Sequence, residues 1–168
     1  MDANAFWKII DETRSAARDD QDFLDKIAAR LREMSPDELV EFEEHFNRIH
    51  QGSYARPLWG AAYLINGGCS DDGFEYFRAW LMAQSRETFE KAIHDPDSLA
   101  TIDDPEGELE KFMYVAREVY ETKTGHKMPD RALQGAAYPD LGEAWDFDDA
   151  DEMKKRYPEL FAIYGWIS

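Results

Sequence analysis

One cysteine, Cys69, stands alone among 168 residues, so no intrachain disulfide can staple this chain. Basic residues are also scarce, 19 lysines and arginines against 36 aspartates and glutamates. Neutralising phosphates needs a basic patch, and none is visible, which argues against nucleic-acid binding. No stretch approaches the ~18 uninterrupted apolar residues of a membrane-crossing helix. The opening MDANAFWKIIDETR carries Asp2, Asp11 and Glu12, and lacks the basic start and continuous apolar run of a signal peptide. A cytoplasmic protein with no membrane partner is the expectation. Cofactor signatures are missing too: there is no phosphate-cradling glycine loop and no nucleophile elbow. Neither acidic segment has the spacing of a calcium loop, and His45 and His50, five apart, do not suit two ligands on one helical face. No metal and no cofactor are expected.

Large apolar side chains, by contrast, are plentiful. Hydrophobic residues make up 43% of the chain, with ten Phe, eight Tyr and five Trp. That is enough for one core without disulfides or metal, and the length suits a single domain over residues 1–168. The formal charge of -17 is unevenly spread. Residues 95–110 hold Asp95, Asp97, Asp103, Asp104, Glu106, Glu108 and Glu110 with no base. Residues 139–152 hold Asp140, Glu143, Asp146, Asp148, Asp149, Asp151 and Glu152, again with none. These fourteen acids leave the rest of the chain near neutral. Their simplest role is solubility and complementing helix N-termini; attraction of a basic partner is the alternative.

Apolar spacings of three and four predict an all-α fold, an irregular bundle of about seven to nine helices with a loop-rich C-terminal third. Phe6, Trp7, Ile9 and Ile10 open a first helix, and Phe23, Leu24, Ile27 and Leu31 stripe a second. Ser35-Pro36-Asp37-Glu38 combines a serine cap, a proline at the first helical position and a reciprocal glutamate. The helix from about Ala55 to Ile65 is apolar nearly all round, which marks a central element. Ser85 caps a helix reaching about His94. An acidic loop is expected over Asp95–Gly107, a long helix from about Glu108 to Thr124, and mainly loop over 126–147. A last short helix begins near Asp148, and the aromatic tail from Tyr157 to Trp166 should pack on the bundle.

Between the central helix and its successor the chain reads Asn66-Gly67-Gly68-Cys69-Ser70-Asp71-Asp72. The glycines permit a sharp reversal and Ser70 caps the next helix. That helix points Phe74, Phe77 and Leu81 inward. Tyr76 and Trp80 form a second stripe, so it is either sandwiched between layers or offers an aromatic face to a partner. The run Trp59-x-Ala61-Ala62-Tyr63-Leu64-Ile65-x-Gly67-Gly68-Cys69-Ser70-Asp71-Asp72-x-Phe74, with Phe6-Trp7 and Ile10-Asp11-Glu12 before it, Phe77-Arg78-x-Trp80-Leu81 and Pro96-Asp97-Ser98-Leu99 after it, and Tyr157-Pro158-Glu159-Leu160 near the end, resembles a bacterial domain-of-unknown-function family (DUF4240-like). The resemblance spans nearly the whole chain. It implies one domain and draws attention to the same central turn, and it carries no activity, substrate or catalytic residue.

Cys69 precedes a helix N-terminus, where the dipole lowers a thiol pKa, but Asp71 and Asp72 oppose that effect, so a small buried structural cysteine is expected. Asp71 and Asp72 are ordinary dipole partners of the first turn. Arg78 either pairs with Asp71, Asp72 or Glu75, or waits as a fixed cation for a carboxylate or phosphate. Asn66, Asp71, Asp72 and Arg78 are expected to form one hydrogen-bonded cluster beside a small cleft. The leading functional expectation is a binding or protein-interaction module whose site comprises Asn66, Asp71, Asp72, Arg78, Tyr76 and Trp80, with a protein or small-molecule partner, a basic one included. An enzyme using Cys69, Asp71, Asp72 or Arg78 ranks below it, because nucleophile, base and orienter are not visible together. An acidic inhibitor or immunity-type protein that neutralises a basic partner is the third reading.

Overall fold

Every regular element in the described residues of the computed structural model, 1–134 and 137–165, is helical. Ten α-helices follow in order: α1 (Ala3–Ala16), α2 (Asp20–Arg32), α3 (Pro36–Gly52), α4 (Arg56–Asn66), α5 (Asp71–Met82), α6 (Arg86–His94), α7 (Val115–Thr124), α8 (Asp130–Leu133), α9 (Ala150–Arg156) and α10 (Pro158–Tyr164). Two 3₁₀ turns, Pro96–Thr101 and Glu110–Met113, lie between α6 and α7. The all-α bundle read from the sequence is thus what the chain adopts.

The boundaries follow from short polar side chains that satisfy the free N–H groups of a first turn. Ser35 begins α3 with both halves of its capping box in place. Ser70 Oγ accepts from the Gly73 N–H at 3.1 Å to begin α5, and Ser85 does the same for α6. Two caps come from distant segments. The Asp11 carboxylate accepts the Arg86 N–H at 2.8 Å. Asp97 accepts from the Glu159 and Leu160 amides at 3.0 and 2.8 Å, serving α10, which has no side-chain cap of its own.

Helix α3 packs against α7, α7 against α2, and α2 against α1, which also touches α3. Aromatic rings link the layers: Phe6 meets Phe42 at 4.8 Å, Phe46 meets Phe112 at 5.0 Å and Phe23 meets Phe112 at 5.2 Å between centroids. Each such ring removed from water contributes roughly 1.5–3 kcal/mol. A buried polar link ties the same helices. Arg117 on α7 donates to Glu43 on α3 at 2.7 Å, and Asn47 donates to the Ala132 carbonyl of α8 at 2.7 Å.

Three expectations change. The helix expected from Glu108 begins as the 3₁₀ turn at Glu110, and α7 starts at Val115. The cause is local: Leu109 donates its N–H to the Tyr76 carbonyl at 3.1 Å, which holds Leu109 out of helical geometry. The acidic loop 95–107 contains the turn Pro96–Thr101, which is packed between α6 and α10. The C-terminal tail forms α10, with Tyr157 and Leu160 buried; Trp166 of that tail lies outside the described residues.

Candidate functional site

The central turn is built from glycine geometry and one serine. Gly67 ends α4 in the left-handed region at φ 66°, and the Gly68 N–H returns to the Tyr63 carbonyl at 2.8 Å. Only glycine enters that region without a steric penalty. Trp59 then donates its indole N–H to the Cys69 carbonyl at 2.9 Å, which fixes the turn against α4. Cys69 itself is half-buried. Burial first, then the Glu108 carboxylate, pushes its thiol up to about 12, with Arg78 opposing weakly. A thiol that keeps its proton at neutral pH is a poor nucleophile, so the structural expectation for Cys69 fits its surroundings.

Successive turns of α5 divide the expected residues into two sets. Asp71, Glu75 and Arg78 fall at i, i+4 and i+7, on one face. Asp72, Tyr76 and Trp80 fall on the next. The first face lines a pocket of about 210 Å³ together with Tyr54, from the turn after α3, and Tyr138, from the loop after α8. Tyr54 donates its hydroxyl to Asp71 at 3.1 Å, and the Tyr54 and Tyr138 rings meet edge to face at 4.9 Å.

Arg78 forms the base of this pocket and is only 1% exposed. Its Nη1 donates to the His50 carbonyl at 2.7 Å and its Nε to the Phe74 carbonyl at 3.3 Å. The guanidinium carbon sits 4.8 Å from the Phe74 ring centroid and 5.1 Å from that of Tyr54. No carboxylate of the described residues comes within 4.0 Å of it, and its Nη2 has no hydrogen-bond partner among them. The charge is therefore held by the negative end of α3 and by two ring faces. Burial lowers the Arg78 pKa, and the phenols and carboxylates around the pocket offset only part of that shift. Beneath it, His50 is 4% exposed and donates Nε2–H to the Glu75 carbonyl at 2.8 Å. Burial, then the neighbouring Arg78 charge, lowers its pKa to about 4, so it is neutral at physiological pH.

The single cluster expected from Asn66, Asp71, Asp72 and Arg78 does not form. Asn66 reaches away from α5 and donates to the Gly107 carbonyl at 3.2 Å, latching the end of α4 to the acidic loop. Asp72 is exposed and makes no side-chain hydrogen bond among the described residues. Tyr76 borders a separate acidic cleft with Asp19, Glu106, Glu108 and Glu110. Trp80, expected on an outward aromatic face, is 1% exposed and packs on Phe77 at 5.4 Å. Helix α5 is thus the sandwiched case, covered on its second face by the turn Glu110–Met113. Glu75, expected only as an ion-pair partner of Arg78, instead lines the pocket beside it, together with Tyr54 and Tyr138, which the sequence does not single out.

A larger groove of about 670 Å³ runs between α2 and α7 over Leu24, Ala28, Val115 and Val119. Its polar rim has no buried charge converging on it, so it resembles an ordinary helix boundary. Among the described residues no group of three His, Cys, Asp or Glu side chains could hold a metal ion, and no helix is long and apolar enough to cross a membrane.

No curated protein and no solved structure matches the chain. A family model described as a protein of unknown function, DUF4240, matches residues 1–122, a segment holding Tyr54, Asp71, Glu75 and Arg78 but not Tyr138. With most of its length so matched, the chain belongs to the DUF4240 family.

Proposed function

We propose that this protein is a binding module whose ligand is a small molecule received in the pocket beside the central turn, with Arg78 as the receptor for a negatively charged or strongly accepting group. The observation that carries this reading is a buried guanidinium with no carboxylate counter-ion, open on one side to a pocket. A charge removed from water is ordinarily paired, and the neutral partners of Arg78 occupy only part of its donor fork. Tyr54 and Tyr138 supply apolar walls with polar tips, a usual lining for small-ligand sites. A small ligand is favoured over a protein partner because Trp80, half of the expected aromatic face, is inside the core. A cytoplasmic setting goes with this reading, since the lone thiol of Cys69 is kept protonated and unpaired.

A thermal-shift screen of a small-metabolite library against wild type and Arg78→Met tests it. A ligand at a hundred times its Kd adds about 2.7 kcal/mol, or about 5–11 °C in a chain of this size. Compounds that raise the melting temperature of wild type and not of the variant are the expected result. A library with no stabilising compound, or one whose stabilisers act equally on both proteins, overturns the proposal.

A further inference from the structure

The charges around the pocket say more about the ligand than that it is an acceptor. Arg78 at the base contributes one positive charge; Asp71 and Glu75, two turns and one turn before it on the same face, contribute two negative ones. None is neutralised by pairing with another, since no ion pair joins Arg78 to either carboxylate. A simple anion such as phosphate would meet Arg78 but also two like charges, and a simple cation would meet the carboxylates but also Arg78. Like charges at such range are costly where water is partly excluded. A ligand carrying both signs at separate ends satisfies all three groups.

Resting on the binding-module reading, we infer that the pocket takes a small zwitterion of amino-acid size, its carboxylate on the free edge of Arg78 and its ammonium against Asp71 and Glu75. The guanidinium fork matches a carboxylate in geometry as well as charge. Its depth fixes which end enters first: Arg78 is buried, whereas Asp71 is exposed and Glu75 half-buried, so the carboxylate goes in and the ammonium stays near the rim. Tyr54 holds Asp71 through its hydroxyl at 3.1 Å, and Tyr54 and Tyr138 line the pocket where the ammonium or an apolar side chain would lie. Size agrees. The cavity of about 210 Å³ holds the space of about seven waters at roughly 30 Å³ each, room enough for a free amino acid.

Titration calorimetry with defined probes tests the inference. Free L-alanine, L-leucine and L-phenylalanine are compared with propionate, which has only the carboxylate, and propylamine, which has only the ammonium. At least one amino acid should bind wild type about tenfold or more tighter than either half-molecule, the scale of one charge-assisted contact. Asp71→Asn and Glu75→Gln, at exposed or half-buried positions, should keep the fold, weaken the amino acid by about tenfold and leave propionate unchanged or tighter. Propionate binding as tightly as every amino acid would overturn the zwitterion while leaving a binding module with an anion site. Amino-acid binding unmoved by both carboxylate variants would overturn it equally. If no probe binds wild type the zwitterion is also excluded, and the library screen then decides separately whether the pocket binds anything.

Discussion

Acidification should weaken this fold through one residue, His50. In the unfolded chain its imidazole titrates near the ordinary 6.5; in the fold, burial and Arg78 hold its pKa at about 4. A depressed histidine pKa means that the folded state prefers the neutral ring. Its stability contribution is complete above 6.5, declines as the pH falls and the unfolded chain takes up a proton first, and levels off below 4. The two-pKa expression gives a loss of about 2 kcal/mol between pH 7 and pH 5, and about 3 kcal/mol by pH 4. Because His50 is almost wholly buried, solvent screening takes little from this figure.

Other groups titrate in the same window, and one opposes His50. Glu43 has a pKa raised by burial, with Arg117 pulling it back, so it favours the fold at low pH and gives up that contribution as pH rises. The assay is therefore a difference. Urea unfolding of wild type and of His50→Gln is followed from pH 7.5 to 4.5, and the variant is subtracted so that effects common to both proteins cancel. Losing the stacked Phe46 contact and the Glu75 hydrogen bond should make the variant less stable at pH 7. That gap should narrow by about 2 kcal/mol on reaching pH 5, equivalent to about 4–8 °C in melting temperature. A pH-independent gap would mean that His50 titrates normally, and hence that its ring is not buried beside Arg78 as the fold places it.

Other expectations concern the turn, the tail and a cap. A β-carbon on Gly60 would lie 2.8 Å from Cζ of Tyr157, a buried ring tethered through its hydroxyl to the Pro57 carbonyl at 2.6 Å. Gly60→Ala should therefore cost about 1–3 kcal/mol by overpacking, despite alanine's better helix propensity of about 1 kcal/mol; an unchanged or higher melting temperature would show that the ring can move aside. Cys69 should react slowly with a thiol reagent at neutral pH in the native protein and rapidly in denaturant, whereas fast native labelling would contradict a pKa of about 12. Asp97→Ala should remove about 0.5–2 kcal/mol of capping and speed hydrogen exchange at the Glu159 and Leu160 amides, and unchanged exchange there would dissolve the link between the acidic loop and α10.

Local signals in the sequence reached local features. The serine caps, the left-handed glycines and the apolar stripes each depend on neighbours within one or two turns, and they placed α3, α5 and α6 closely. Spacing also held half of the site: Asp71, Glu75 and Arg78 share a face by helical periodicity alone. What failed needed distant partners. Two aromatic stripes on α5 left open whether the second was covered, and the answer lies in the bond from Leu109 to the Tyr76 carbonyl, 33 residues away. The same bond broke a helix that apolar periodicity ran on through Leu109, Phe112 and Met113. Asp97 read as one acid among seven until the fold brought it, from 62 residues off, to an uncapped helix. Tyr54 and Tyr138 carry no pattern that associates them with Arg78, because only the packing of their loops does so.

Arg78 could be taken for a staple and nothing else, since it joins the end of α3 to α5. Its choice of partners argues for more. A carboxylate at hydrogen-bond range would give a buried guanidinium its strongest compensation, and two carboxylates stand on the same helical face within reach of the pocket. Neither pairs with it; Asp71 is engaged by Tyr54 instead. An arginine locked into an ion pair has its charge already satisfied, and a ligand would have to displace the partner before binding. An arginine held by carbonyl oxygens and ring faces is fixed in place with no counter-ion of the described residues in contact. Such a cation is preorganised at one edge, and it confers the largest benefit on the fold when an anionic group arrives. On the proposed reading, stability and recognition rest on the same side chain through different nitrogens: Nε and Nη1 hold the helices together, and Nη2 is the nitrogen proposed to meet the ligand.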